Sequence, residues 1–168
     1  MAKISFPGLA EYERKLSQLG NKSTDEIAGK AIYAGAKIIT DKIRENIDAL
    51  PAVNDVEGTH AWRAGRDAPL TKKAKRGLQD GLGISRLQNN AGLINVKIGF
   101  DGYNDLKTKK YPKGQPNVLV ARVTESGSSI ADKHPFVRPA IRAAKAQAEE
   151  EMARVIDTEI AKIMDTKE

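Results

Sequence analysis

The sequence contains no cysteine, and only two histidines, His60 and His134, occur among its 168 residues. The absence of cysteine excludes disulfide bonds, thiolate chemistry and zinc sites with thiolate ligands. Because the two histidines are far apart in the sequence, a metal site would need several carboxylates beside them. We therefore predict that the chain has no metal and no other cofactor.

Aromatic residues are also scarce, at 5% of the chain, and the sequence has no long apolar run that could cross a membrane. A core must therefore be built from Ile, Val, Leu and Ala, which favours helices that pack through small contacts. The N-terminus lacks the apolar segment of a secretory signal. We expect a protein that is made in the cytoplasm and is not bound to membranes, and the length predicts a single domain over residues 1–168.

The hydrophobic pattern predicts an α+β fold, in which a small antiparallel sheet is packed by two long helices. Apolar residues at steps of three and four predict these long helices at 24–48 and 136–164. Apolar stretches on either side of "NNAG" predict a β-hairpin with strands at 82–87 and 93–100. The smaller predicted elements are an N-terminal strand at "KISF", short helices at 9–19 and 118–125, and a cap at Asn117 for the second of these.

Two segments, 51–76 and 101–116, show no periodicity and are predicted to be long loops. Both carry an excess of basic residues within a chain whose net charge is +6. Such residues can neutralise phosphates without reading base sequence, but loop solubility or contact between subunits is the more ordinary explanation of them. The candidate partner or DNA contacts are Trp62, Arg63, Arg66, Lys72, Lys73, Lys75, Arg76, Lys107, Lys109, Lys110 and Lys113.

Each candidate catalytic or nucleotide-binding motif in the sequence is incomplete. Ser126, Ser128 and Ser129 lie near His134, but "ESGSS" lacks the Gly-x-Ser-x-Gly elbow that positions a nucleophilic serine. "GLGISR" lacks the third glycine of a dinucleotide fingerprint, and "KTKKYPKG" lacks the Gly-Lys-Ser/Thr of a phosphate loop. The pattern therefore predicts a protein that is not an enzyme.

Three stretches carry a resemblance to a known family: "GFDGYN" at 99–104, "ARVTESGSS" at 121–129 and "PFVRPAI" at 135–141. Together with the order of the predicted elements, they resemble the siphophage neck, or minor tail-component, family. Its members are encoded beside the head-closure and tail-terminator proteins. The resemblance implies a structural virion protein at the head-tail junction, with a small α+β fold that assembles into a ring.

The resemblance also implies a corner that fixes the last helix against the short one. The residues that match the family pattern there are Arg122, Glu125, Gly127, Phe136, Arg138 and Pro139. The implied partners are further copies of the chain in a cyclic ring, the phage connector and the tail-terminator protein, with some cations facing DNA in the channel. The alternative that the basic residues leave open is a DNA-binding module without sequence preference.

Overall fold

The computed structural model describes residues 21–54, 70–90, 92–107, 109–129 and 131–165. These residues form an α+β fold, as predicted, with two long helices and three two-stranded sheets. In chain order the helices are α1 (Asn21–Ala49), α2 (Lys72–Gly81), α3 (Asn117–Ser126) and α4 (Val137–Asp165). The strands are β1 (Ala52–Val53), β2 (Leu70–Thr71), β3 (Leu82–Ile84), β4 (Gln88–Asn90), β5 (Leu93–Asn95) and β6 (Ile98–Phe100).

The long helices α1 and α4 confirm the predictions at 24–48 and 136–164, and each has 29 residues. Each buries one apolar stripe, because residues three or four apart lie on the same face of a helix. The buried positions of α1 include Ile27, Ala31, Ile39, Ile43 and Ile47. Those of α4 recur every fourth residue, at Ala140, Ala144, Ala148, Met152 and Ile156.

A hairpin is present, as predicted, but its pairing is interrupted, and β4 lies at residues 88–90, beyond the predicted strand 82–87. Strand β3 pairs with β6, and β4 pairs with β5 in antiparallel register from Gln88↔Asn95 to Asn90↔Leu93. Between the two pairs, Ser85 exchanges two hydrogen bonds of 2.8 Å with the backbone of Lys97. The turn uses Gly92 at a φ of 85°, a conformation that glycine adopts without strain.

The chain divides into two compact units. Of the described residues, the first unit contains 21–39, 84–90, 92–98 and 144–165. In it, Ile27, Ala31, Met152 and Ile156 form an apolar cluster between α1 and α4. Gly35 allows this close approach, since a Cβ at that position would lie 2.5 Å from the Met152 Sδ.

Of the described residues, the second unit contains 40–54, 70–83, 99–107, 109–129 and 131–143, and it differs most from the predictions. The predicted loop 51–76 contains β1, which pairs in parallel with β2, and the first half of α2. Thr71 begins α2 by accepting a hydrogen bond of 3.2 Å from the Ala74 N–H. Helix α2 was missed because its exposed face is basic and its buried face is short, with only Ala74, Gly77 and Leu78.

The predicted cap at Asn117 is wrong. Pro116 occupies the N-cap position of α3 without a side-chain hydrogen bond, and Asn117 is the first residue of the helix. The side chain of Asn117 instead bonds the backbone of Asp101. The predicted N-terminal strand and the helix at 9–19 lie outside the described residues.

None of the described helices combines the length and the apolar character that are needed to span a membrane.

Candidate functional site

The end of α3 and the start of α4 are joined by the carboxylate of Glu125. Its Oε2 accepts hydrogen bonds from the N–H groups of Phe136 at 2.7 Å and Val137 at 2.8 Å, and its Oε1 accepts one from Arg138 at 3.1 Å. The first N–H groups of a helix have no acceptor within that helix, and the positive end of the helix dipole favours a negative charge. Glu125 therefore caps α4 from a different helix, and the described residues 124–129 and 131–139 are called the helix joint below.

Gly127 ends α3 and begins the turn of the helix joint. Its φ is 75°, and its N–H donates to the Val123 carbonyl at 2.8 Å. A Cβ at this position would lie 3.2 Å from both the Ala131 O and the Lys133 N, so the turn has little space for a larger residue. The His134 N–H then donates to the Thr124 carbonyl at 2.7 Å, which holds the returning chain against α3.

Phe136 fixes the helix joint to the rest of the second unit. Phe136 is 1% exposed, and its ring packs against the Phe100 ring in an edge-to-face arrangement with a centroid distance of 5.9 Å. Its carbonyl accepts a hydrogen bond of 2.9 Å from the Asn46 side chain on α1. The start of α4 is thus attached to α1, α3 and β6 by separate contacts.

The remaining predicted corner residues lie at the surface of the helix joint or near it. Arg138 is largely exposed, with its Nε 3.6 Å from the Glu125 Oε1. Pro139 is exposed in the first turn of α4, where a missing N–H has no consequence for the helix. Arg122 is exposed on α3. The structure therefore brings Glu125, Phe136 and Arg138 into contact, whereas Arg122 and Pro139 point to solvent.

Two asparagines that the sequence did not single out as binding or packing residues organise the segment before α3. Asn104 is 4% exposed, and its Oδ1 accepts hydrogen bonds from the N–H groups of Leu106 at 2.9 Å and Gln115 at 3.2 Å. Asn117 is 3% exposed, and its Nδ2 donates to the Asp101 carbonyl at 2.8 Å. The described residues 101–107 and 109–116, called the lysine loop below, are therefore closed at both ends by buried amides.

Helix α2 packs closely on these asparagines through Gly77 and Gly81. A Cβ on Gly77 would lie 2.5 Å from both the Asn104 Cβ and the Asn117 Oδ1. A Cβ on Gly81 would lie 2.7 Å from the Asn117 Nδ2. The only sequence signal for this contact was Asn104 at the end of the "GFDGYN" stretch.

All four lysines of the lysine loop are exposed: Lys107, Lys109, Lys110 and Lys113. The Lys110 Nζ lies 5.6 Å from the centroid of the Tyr111 ring. By contrast, eight cations elsewhere in the described chain form ion pairs with carboxylates. They are Lys30, Lys42, Arg44, Arg76, Arg138, Lys145, Arg154 and Lys162.

The basic residues of the first predicted segment have different roles. Lys75 is half-buried, and its Nζ donates to the carbonyls of Asp48 and Leu50 at 2.8 Å each, so it stabilises the end of α1. Lys72, Lys73 and Arg76 are exposed on α2. The predicted contacts Trp62, Arg63 and Arg66 lie outside the described residues.

No group of three or more His, Cys, Asp or Glu side chains that could hold a metal ion occurs within the described part of the chain. In comparisons with protein-family models, curated proteins and solved structures, none matched this chain.

Proposed function

We propose that the chain is a non-enzymatic structural protein of a tailed-phage particle, located at the junction of head and tail. In this role it assembles as a ring between the head-closure and tail-terminator proteins. The observation that carries the proposal is the helix joint. Two of the sequence stretches that resemble the siphophage neck family, 121–129 and 135–141, meet there through Glu125.

The hydrogen bonds of the helix joint support a role in positioning rather than in reaction chemistry. The Glu125 carboxylate uses both oxygens to accept from three backbone N–H groups. Such an arrangement fixes the direction in which α4 leaves α3. In a ring of identical subunits, the same surface of each copy must meet a different surface of the next copy at a constant angle. A helix whose direction is fixed by hydrogen bonds keeps the angle between neighbouring subunits constant.

Exposed apolar side chains at the start of α3 and in the lysine loop also support assembly. Val118 on α3 is 60% exposed, and Tyr103 in the lysine loop is 66% exposed. Contact with a neighbouring subunit would remove this apolar surface from water and stabilise the ring. The exposed Arg122 lies one turn from Val118 on α3 and supplies a polar contact beside it.

Deletion of the gene from its phage genome tests the proposal. We expect DNA-filled heads and separate tails by electron microscopy, because the two would lack the part that joins them. Mass spectrometry of purified wild-type particles should detect the chain. Complementation by the Glu150→Ala variant, which changes an exposed residue of α4, should restore joined particles, whereas Glu125→Ala should restore fewer.

Absence of the chain from purified particles, with normal joined particles after deletion, would contradict the proposal. That result would favour the second candidate, a free DNA-binding module without sequence preference, which the four exposed lysines of the lysine loop support. A dedicated module of that kind binds DNA tightly at low salt and loses affinity steeply as salt rises.

A further inference from the structure

We propose that the lysine loop is a contact site for the phosphate backbone of duplex DNA, formed by Lys107, Lys109, Lys110 and Lys113. This inference deepens the proposed function. It rests on that function for the location of the contact, which is the DNA channel of the ring. The contact itself is a property of the single chain, and it is tested on the purified protein.

The first argument is that the four lysine charges are exposed and form no ion pair with a carboxylate of the described residues. The loop itself contains two carboxylates, Asp101 and Asp105. The Oδ1 of Asp101 accepts a hydrogen bond of 2.7 Å from the Gly102 N–H. The loop therefore carries a net positive charge of two, from four lysines and two aspartates.

The second argument is that hydrogen bonds within the single chain hold the described part of the loop backbone. Asn104 holds Leu106 and Gln115 together, and the Asn104 N–H donates to the Gln115 carbonyl at 2.9 Å. The Gly114 N–H donates to the Tyr111 carbonyl at 3.1 Å, and the φ of Gly114 is 109°. These bonds reduce the amount of backbone that binding has to order, so that the entropic cost falls mainly on the lysine side chains.

The third argument concerns the chemistry of the partner. Protein–protein interfaces are enriched in arginine and depleted of lysine. Lysine, by contrast, commonly binds phosphates, through the single positive charge of its ammonium group. Single-stranded nucleic acid is bound through several aromatic side chains on which bases stack. Of the two tyrosines in the loop, Tyr103 is exposed and Tyr111 is half-buried beside Lys110. Duplex DNA, bound through its phosphates without base reading, fits this composition best.

The test measures binding of the full chain to a fluorescent duplex of arbitrary sequence by anisotropy, between about 50 and 200 mM salt. A contact that neutralises four phosphates contributes about −3.6 to the slope of log affinity against log salt, at about −0.9 per phosphate. Replacement of all four loop lysines by Gln should weaken binding and make the slope shallower by up to about 3.6. The double variant Lys109→Gln/Lys110→Gln should produce about half of that change.

The matched control replaces Lys37, Lys42, Lys97 and Lys145 by Gln, which lowers the net charge by the same amount. The slope of this control should remain close to that of the wild type. Circular dichroism melting establishes whether each variant is folded. If the quadruple variant is unfolded, the salt slope of the double variant tests the inference instead. Equal slopes in the loop variants and the control would overturn the inference.

A second outcome would also overturn it: loss of self-association by the loop variants in light scattering, with DNA affinity unchanged, would assign the lysines to a protein contact. If the loop lysines do not bind DNA, deletion of the gene should still give separate heads and tails. If deletion has no effect on the particles, the salt slope of the purified chain is still a valid test of DNA binding. The two proposals are therefore tested separately.

Discussion

At the scale of single residues, Gly77 shows how closely α2 packs on the lysine loop. Alanine would improve the intrinsic helix propensity by about 1 kcal/mol. Its Cβ, however, would lie 2.5 Å from the Asn104 Cβ and 3.2 Å from the Asn104 Cα, and a buried backbone atom cannot move away easily. Overpacking of this kind costs about 1–3 kcal/mol. The net effect of these two contributions is a loss, and we expect Gly77→Ala to lower the free energy of unfolding in urea by about 1 kcal/mol, and by at most about 2 kcal/mol.

Gly83 provides the control for this substitution. It is exposed in β3, and a Cβ at that position would meet nothing within 4 Å. Gly83→Ala should therefore change the free energy of unfolding by less than about 0.5 kcal/mol. A Gly77→Ala variant as stable as the wild type would show that the lysine loop yields to α2 rather than packing rigidly against it.

Asn117 illustrates what the sequence could not predict at this scale. Asparagine before an apolar stretch is a common helix cap, and the local pattern supported that interpretation. The structure uses the amide for a hydrogen bond to Asp101, which is 16 residues earlier in the chain. The same side chain serves either purpose, and only the path of the distant loop decides between them.

At the scale of elements, the helix joint depends on one carboxylate that satisfies three N–H groups of another helix. Removal of a helix cap costs about 1 kcal/mol, and hydrogen bonds to a charged group are worth about 1.5–3 kcal/mol. We expect Glu125→Ala to lower the free energy of unfolding by about 2 kcal/mol. Glu125→Gln, which keeps one acceptor oxygen but loses the charge, should show a smaller loss.

The control for the helix joint is Glu150→Ala, since Glu150 is exposed on the same helix that Glu125 caps. It should change the stability by less than about 0.5 kcal/mol. Urea titrations monitored by circular dichroism at 222 nm measure all three variants. If Glu125→Ala and Glu150→Ala were equally stable, the three hydrogen bonds would make no net contribution to the fold.

The elements themselves were predictable to very different degrees. Helices α1 and α4 followed from apolar spacing sustained over more than twenty residues, so local exceptions such as Gly35 did not hide the pattern. Helix α2 has ten residues with two glycines, Gly77 and Gly81, which weaken its intrinsic preference. Those glycines are explained by Asn104, Asn117 and the Asp101 carbonyl, which pack against them, and these contacts are a property of the folded chain.

At the scale of the whole molecule, stability in acid depends on which carboxylates remain charged when the other acidic residues become protonated. The Glu159 Oε1 lies 2.6 Å from the Lys162 Nζ, and its Oε2 lies 2.6 Å from the Lys30 Nζ on α1. Hydrogen bonds from Lys162 and then Lys30 lower the pKa of Glu159 from 4.5 to about 2. In the first unit, Glu159 therefore links α4 to α1 through a charge that persists well into the acidic range.

A folded-state pKa below the ordinary value stabilises the protein at pH values above about 4.5, and this contribution is lost as the pH falls towards 2. We therefore expect Glu159→Gln to melt below the wild type at pH 6, and the difference in Tm to narrow progressively between pH 4.5 and 2. Differential scanning calorimetry across this pH range measures the difference in Tm between the variant and the wild type. The control is Glu150→Gln, whose Tm should stay near that of the wild type at pH 6. A Tm difference for Glu159→Gln that is constant from pH 6 to pH 2 would mean that the contact between α1 and α4 depends on side-chain packing and not on the charge of Glu159.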